Sequence, residues 1–405
     1  MGSADAPTEL RRSLTFPWLL LYGLGTTVGA GIYALTGLVA GRAGLLAPLA
    51  FVAASLLALF TALSFAELGS RFPRAGGAAV YVLEGFRVPA LGTAVGLLVV
   101  AAGLISSAAG AVALAGHLES LLGLPRLPVT IAVVLAIAVV AVWGVRESVS
   151  VAGLITLVEV GGLLAVIVAG RAHFAELPER IAEFVPRDFA AWQAIGAAAL
   201  LCFYAFIGFE DMANVAEEVK QARRVLPRAI VATLIVTLVL YVLLATVAVL
   251  AVPAEELAAS QAPLALVFER CGGRPGVLGG IAVAALVNGV LIQVLMASRV
   301  CYGLAREGQL PAWLGRVHPR RRTPWLATLL CAAGVLVLAS AGRLEALAEA
   351  TSLVTLLAFA FVNAALLRVR FRETAPPAGA TVYPIAVPGI GCAASLALLA
   401  FRATS

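Results

Sequence analysis

The chain has 405 residues, of which 62% are hydrophobic and only 12% are charged, and this composition excludes a soluble globular protein. The net charge of +6 follows from basic loops on one side of a membrane, so it predicts no nucleic-acid partner. The five cysteines and three histidines are scattered, which predicts no disulfide framework and no metal or other cofactor. The composition therefore indicates an all-α integral membrane protein.

Eleven apolar runs follow one another along the chain, each about long enough to cross a hydrocarbon core of roughly 30 Å. They cover approximately residues 18–40, 44–70, 88–117, 127–144, 148–170, 190–216, 227–252, 276–304, 324–341, 346–367 and 383–402. The longest polar stretches between them, 171–189 and 305–323, have the size of loops. We therefore expect a cytoplasmic N-terminal segment at 1–13 and a single transmembrane domain over 14–405.

The arginine and lysine residues predict the orientation, because cytoplasmic loops carry an excess of them. With the N-terminus in the cytoplasm, 18 of these residues fall on the inner side, 9 on the outer side and Arg299 within the eighth run. We expect a multi-pass protein of the cytoplasmic (inner) membrane, with an inner N-terminus and an outer C-terminus.

The first run contains six glycines from Gly23 to Gly41, with Gly29 and Gly31 on either side of Ala30 near its centre. Small residues let membrane helices pack closely, which is one explanation. Glycine is also what a helix needs where it unwinds and brings bare backbone amides against a ligand. The run by itself is compatible with both.

The sixth run reaches Gly208 and is followed at once by Glu210 and Asp211. Two adjacent carboxylates are costly at membrane depth unless they face protein or water. The helix could end at Gly208. However, about ten residues compatible with a helix follow before the basic loop begins at Lys220, which favours an interrupted helix.

Runs one and six are each the first of five, so the two predicted interruptions occupy corresponding positions. Because five is odd, the second half inserts upside down, which is the inverted-repeat pattern of secondary transporters. We expect repeat one at about 14–170, repeat two at about 190–367 and an extra helix at about 383–402. Helix N-terminal amides suit a carboxylate and unpaired carbonyls suit an ammonium group, so such a site matches an α-amino acid.

Four blocks of sequence, taken together and in order, form a pattern specific enough to indicate a protein family. They are TTVGAGIYALTG (26–37), SFAELGSRFPRAGGAAVYVLEGF (64–86), FYAFIGFEDMANVAEEVKQARRVLPRAI (203–230) and SRVCYGLAREGQLPAWLGRVHPRRRTP (298–324). In this order they resemble the amino acid–polyamine–organocation (APC) transporter superfamily, especially bacterial relatives of cationic amino acid transporters. The resemblance runs from about Leu14 to Leu367. It implies the LeuT-type fold, a 5+5 inverted repeat with discontinuous helices one and six, here with about 11 transmembrane helices.

The resemblance also implies roles for individual residues. Backbone amides in the Gly29–Ala30–Gly31 turn would take the substrate carboxylate, and the carbonyls of Thr27, Tyr204 and Ile207 would take the amino group. Tyr204 holds the aromatic position that caps the substrate in relatives. The third run is built of small residues around Ser106 and Ser107, and we count Ser107 among the candidate substrate-binding residues.

Glu210 matches an acidic residue that takes part in acid-dependent transport in the related arginine/agmatine antiporter. An equal alternative is a carboxylate held by inner-side arginines as part of a gate. We therefore assign Glu210 and its neighbour Asp211 to coupling or gating.

The fifth run departs from the family, because Glu159 stands where relatives often have a lysine in place of sodium. A mid-membrane carboxylate is a natural proton acceptor, so we expect a coupling or gating role. The protonated form would hydrogen-bond the free carbonyls behind the break in helix one. The alternatives are an ionised Glu159 that attracts Na⁺ or a substrate amine, and a structural carboxylate in a helix interface. Asn288 and Gln293 are the residues of the eighth run expected to face it.

The sequence thus predicts a secondary active transporter of amino acids or related amines, working by alternating access with proton coupling or exchange. A sodium-coupled or uncoupled facilitator of polyamines or other organocations is the alternative. A membrane-embedded enzyme is a remote alternative, because no clustered nucleophile, metal ligands or catalytic histidine is visible. A channel would need a filter loop or charge rings, and an ATP-driven pump would need a Walker motif; neither pattern occurs.

Overall fold

The computed structural model describes residues 14–74, 76–143, 149–318, 323–373 and 375–404, almost entirely as helices. The predicted N-terminal segment 1–13 lies outside the described residues. The α-helices are α1 (Phe16–Thr27), α2 (Ala30–Ala43), α3 (Ala47–Arg71), α4 (Gly77–Phe86), α5 (Pro89–Leu122), α6 (Arg126–Trp143), α7 (Val149–Ala169), α8 (Leu177–Arg180), α9 (Phe189–Phe206), α10 (Ala222–Ala251), α11 (Ala254–Ala259), α12 (Pro263–Arg270), α13 (Val277–Arg306), α14 (Trp325–Ala341), α15 (Leu344–Arg372) and α16 (Ala386–Thr404). Between them lie 3₁₀ helices at Gly44–Leu46, Gly170–Glu176, Ile181–Phe184, Phe209–Glu218 and Ala312–Gly315.

The predicted helical membrane class is confirmed. Over the described residues, each of the eleven apolar runs coincides with helical structure, the first with α1 and α2 and the sixth with α9 and the 3₁₀ helix Phe209–Glu218. Within the described residues, seven helical stretches are long and apolar enough to cross a bilayer, and α4, α6, α14 and α16 are apolar but shorter. Among the described residues, extended pairing is limited to an isolated bridge between Leu14 and Val219.

The connections are more structured than the sequence predicted. The polar stretch 171–189 forms α8 between two short 3₁₀ helices, and α11 and α12 lie between α10 and α13. The Asp188 carboxylate then accepts a hydrogen bond from the Ala191 N–H at 2.8 Å, which caps the start of α9. Such short helices lack the long apolar run that made the membrane helices predictable.

Glycines in the first run allow the interrupted helices to pack closely. A Cβ on Gly31 would lie 2.5 Å from the Cα of Ala205 in α9. A Cβ on Gly25 would lie 2.2 Å from the Thr156 hydroxyl of α7. For Gly25 and Gly31, the packing explanation left open by the sequence therefore holds.

Aromatic side chains hold the sixth helix on both sides of its interruption. Phe206 packs edge to face on Phe51 of α3, with ring centroids 6.5 Å apart, and lies 5.3 Å from the ring of Tyr241 in α10. Phe209 packs perpendicular to Phe65 of α3 at 5.9 Å. All five rings are almost fully buried, so they fix the backbone at both ends of the break.

Candidate functional site

The first helix is interrupted at Val28 and Gly29, between α1 and α2. Gly29 has extended backbone (φ −166°), and a Cβ at this position would meet no atom within 4 Å. The first turn of an α-helix leaves its N–H groups without intrahelical acceptors. In α2 the Tyr33 N–H is the first that bonds back, to the Gly29 carbonyl at 3.3 Å. The start of α2 therefore offers backbone donors next to open space.

The sixth helix is interrupted at Ile207 and Gly208. Gly208 has a φ of 126°, which favours glycine, and a Cβ there would lie 2.2 Å from the Thr26 carbonyl oxygen. The Thr26 hydroxyl donates to the Gly208 carbonyl at 2.9 Å. The Gly208 N–H donates to Glu210 Oε2 at 2.8 Å, so this carboxylate caps the start of the 3₁₀ helix. The two interrupted helices are thus in direct backbone contact.

Tyr241 of α10 lies between the carboxyl ends of α1 and α9. Its hydroxyl is 3.1 Å from both the Thr27 and the Ala205 carbonyl oxygens, and its single proton serves one of them at a time. The Thr27 carbonyl, which was expected to take an amino group, therefore already has a donor nearby. The Thr27 hydroxyl, in contrast, is buried and has no hydrogen-bond partner among the described residues.

A central cavity lies between the two interruptions. The described residues that line it are Gly25, Thr26, Thr27, Gly29, Gly31, Ser106, Gly110, Tyr204, Ile207, Gly289, Val290, Ile292 and Gln293. The space open to the centre of a water-sized sphere is about 40 Å³. The cavity in this conformation is therefore narrow.

Five predicted substrate-site residues line the central cavity, namely Thr27, Gly29, Gly31, Tyr204 and Ile207. The backbone of Ala30 lies beside them at the start of α2. Ser107 is buried but is not part of the lining, where its neighbour Ser106 lies instead, 3.1 Å from the Tyr204 hydroxyl. Adjacent helical residues point in different directions, so a run of small residues does not indicate which serine faces the site.

Glu159 is 1% exposed in the middle of α7. Its Oε1 accepts a hydrogen bond from Asn288 at 3.3 Å, so Asn288 faces Glu159 as expected. Its backbone carbonyl accepts from the Tyr33 hydroxyl at 2.7 Å, and its Oε2 has no partner among the described residues. The expected contact with the carbonyls at the end of α1 is not present, because Tyr241 is the donor there.

Gln293 does not face Glu159, and that prediction was wrong. It lies five positions after Asn288, which places the two side chains roughly 140° apart around the helix. Gln293 instead lines the central cavity and donates to Asp211 Oδ2 at 3.3 Å. The arginine partner left open for Glu210 does not occur among the described residues, whose ion pairs include neither Glu210 nor Asp211.

The two ends of the first helix are tied to neighbouring helices by different contacts. At its start, the Leu14 N–H donates to the Glu218 carbonyl at 2.9 Å, which joins it to the end of the sixth helix. At the end of α2, Arg42 pairs with Glu345 at 2.5 Å and with Glu349 at 2.6 Å, both on α15. These contacts lie on opposite sides of the central cavity along the first helix.

Sequence reasoning missed Tyr241 and Gly289 and did not place Gln293 at the cavity. The signal for Tyr241 was available, because a phenol in the middle of an apolar run needs a hydrogen-bond partner. Gly289 follows directly after the polar Asn288. Its exposure to the cavity depends on how α13 packs, which the sequence does not indicate.

An all-helical membrane bundle in which two interrupted helices meet at a central cavity is typical of secondary transporters. Over residues 14–404 the chain matches the family model described as amino acid permease. The chain belongs to this amino acid permease family.

Individual relatives agree with this assignment. The chain is 28% identical to the branched-chain amino acid permease BcaP of Bacillus subtilis, over 98% of this chain and 88% of that protein. It is 33% identical to an uncharacterized transporter of Mycobacterium tuberculosis, over 98% of this chain and 90% of that protein. It is 31% identical to cationic amino acid transporter 4 of Mus musculus, over 93% of this chain and 62% of that protein. The predicted superfamily is confirmed, and amino acid transport is the function that these comparisons support.

Proposed function

We propose that the chain is a secondary active transporter that moves α-amino acids across the cytoplasmic membrane by alternating access, and that the central cavity is its substrate site. The observation that carries this proposal is the meeting of the two interrupted helices. The free amides and positive dipole end of α2 suit a carboxylate. The unpartnered hydroxyl of Thr27, together with carbonyls at the ends of α1 and α9, suits an ammonium group. No catalytic role is proposed for any residue.

The proposed architecture is a single transmembrane domain in which residues 14–170 and 190–367 are inverted repeats. The corresponding positions of the two interruptions support this, because helices of opposite direction then meet at the midplane. The proposed orientation has the N-terminus in the cytoplasm and the C-terminus outside. Its support is the distribution of basic residues, 18 on the inner side against 9 on the outer side.

The size of the cavity supports alternating access. In this proposal the walls move when a substrate enters, because only about 40 Å³ is open to the centre of a water-sized sphere. Opening one end would break the backbone hydrogen bond between Leu14 and Glu218. Opening the other end would break the ion pair between Arg42 and Glu345. In this proposal the structure is an occluded state, and each end opens in turn.

Uptake into proteoliposomes tests the proposal. Purified protein should accumulate or exchange at least one labelled amino acid from a panel that also includes the polyamine putrescine. Protein-free vesicles are the control. The proposal fails if no amino acid enters faster than in the control, and uptake of putrescine alone would favour the organocation alternative.

We further propose that Glu159 couples transport to protons. An unpaired buried carboxylate is unfavourable when ionised, so a proton or a cation must accompany Glu159 during the cycle. Asn288 is its hydrogen-bond donor, and no arginine, lysine or histidine pairs with it among the described residues. The Tyr33 hydroxyl donates to the backbone carbonyl of Glu159, which ties this part of α7 to α2.

Imposed gradients test the coupling. Glu159→Gln should lose accumulation driven by a pH gradient while it keeps substrate exchange, and a Na⁺ gradient should not drive uptake in either protein. Glu119→Gln, at the exposed end of α5, is the matched control and should behave as wild type. If Glu159→Gln keeps full pH-driven accumulation, Glu159 is structural, and Glu210 becomes the next residue to test.

A further inference from the structure

The described side chains around the central cavity are uncharged. Its polar groups are four hydroxyls and one amide, from Thr26, Thr27, Ser106, Tyr204 and Gln293, and the remaining lining is glycine, valine and isoleucine. The two hydroxyls of Ser106 and Tyr204 lie 3.1 Å apart and share one hydrogen bond. A substrate with a charged side chain would lose its water here without gaining an ionic partner, which is strongly unfavourable.

Gln293 lies between this cavity and the carboxyl group of Asp211. Its amide N–H donates to Asp211 Oδ2 at 3.3 Å, and Asp211 itself is only 6% exposed. Glu210 and Asp211 face a different small cavity, whose described lining shares no residue with the central one. The Asp211 carboxyl group is therefore close to the substrate site but separated from it by an uncharged amide.

Gly289 marks the part of the cavity that has room for a side chain. A Cβ at this position would meet no atom within 4 Å. Its neighbours in the lining, Val290 and Ile292, are apolar and also belong to α13. The proposed partners of the substrate's carboxylate and amino groups belong instead to α1, α2 and α9. A substrate held by its backbone groups at the interruptions would extend its side chain towards α13.

We propose that the central cavity selects amino acids with uncharged aliphatic side chains, because Gln293 screens Asp211 from the site and Gly289 leaves the space that the side chain fills. This inference rests on the proposed function and adds the class of substrate. It also assigns two specificity-determining residues on α13.

A substrate panel gives the first test. In proteoliposomes, alanine, valine or leucine should accumulate, whereas lysine, arginine and putrescine should neither accumulate nor compete when present in large excess. Uptake of lysine or arginine by the wild-type protein overturns this inference and leaves the proposed function standing. Uptake of no amino acid overturns both.

Gly289→Val tests the space for the side chain. Uptake of leucine should fall at least about 10-fold relative to uptake of alanine, which is the discrimination that one or two methylene groups give in an apolar pocket. Gly280→Val is the matched control on the same helix, because its Cβ also meets no atom within 4 Å and it lies on an exposed face. An unchanged ratio in Gly289→Val overturns the assignment. If that variant does not fold, the smaller Gly289→Ala is measured in the same way.

Gln293→Ala tests whether Gln293 screens Asp211 from the substrate site. Removing the amide should admit lysine, and the double variant Gln293→Ala/Asp211→Asn should exclude it again while alanine uptake persists. If the loss of alanine uptake shows that Gln293→Ala has not folded, Gln293→Ser is measured in its place. Continued exclusion of lysine by a variant that still transports alanine overturns the role of Gln293.

Discussion

Helices one and six are both interrupted at a glycine, yet the two interruptions are built differently. Gly29 has extended backbone and open space around it, so the role of glycine here is to leave the space beside the backbone unoccupied by a side chain. Gly208 has a φ of 126° and lies against the Thr26 carbonyl, so glycine is present because the backbone requires it. The first interruption is open to a ligand, whereas the second is closed by the protein's own Thr26 and Glu210. Substitutions should therefore separate folding from binding, and the predictions below are ordered by their effect on stability.

Gly208→Ala should destabilise the protein most. A side chain at this backbone conformation costs about 1–3 kcal/mol. The contact of 2.2 Å with a carbonyl oxygen of Thr26 adds to that cost, because a backbone atom cannot move aside cheaply. The melting temperature of the purified protein in detergent measures the effect.

Gly123→Ala is the control for Gly208→Ala. Gly123 also has positive φ, 66°, at the end of α5, but a Cβ there would meet no atom within 4 Å. It should therefore show the cost of the backbone conformation alone. Equal losses in the two variants would contradict the idea that close contact with Thr26 requires glycine at Gly208.

Tyr241→Phe should have the next largest effect. It removes the donor that lies 3.1 Å from the Thr27 and Ala205 carbonyls, and leaving a buried acceptor without a partner costs about 1–3 kcal/mol. Tyr81→Phe is the matched control, because the Tyr81 hydroxyl is buried without a partner among the described residues. That change should be neutral or stabilising. If both variants melt alike, Tyr241 does not hold the two interrupted helices together.

The parts of the fold that the sequence predicted are those set by local composition. Eleven apolar runs became helices because length and apolarity are enough to specify a membrane segment. The interruption at Gly208 was predicted because Glu210 and Asp211 follow it directly. That the next ten residues form a 3₁₀ helix instead of an α-helix could not be predicted, since the aromatic packing around Phe209 is a tertiary property.

The partners of polar residues on neighbouring helices were harder to predict. Asn288 was placed correctly against Glu159, and Gln293 was placed wrongly, although both lie on α13. The rotation of α13 about its axis decides which of them meets which carboxylate, and packing against α5 and α7 sets that rotation. The same argument applies to Ser106 and Ser107 on α5, of which the structure places only Ser106 in the lining of the cavity.

Gly29→Ala should have the smallest effect on stability and a large effect on transport. Its extended backbone suits any residue, and the added methyl group meets no atom within 4 Å, so the melting temperature should stay near that of wild type. The methyl group would nevertheless occupy the space beside the free amides of α2, where the substrate carboxylate is proposed to bind. The apparent affinity for the transported amino acid should fall at least about 10-fold. This affinity is measured by uptake and by the rise in melting temperature that the amino acid causes.

Gly161→Ala, on an exposed face of α7 with equally open surroundings, is the control and should retain both uptake and the rise in melting temperature. A Gly29→Ala protein that binds and transports like wild type would mean that the first interruption is not where the carboxylate binds, and the contrast between an open and a closed interruption would lose its functional meaning.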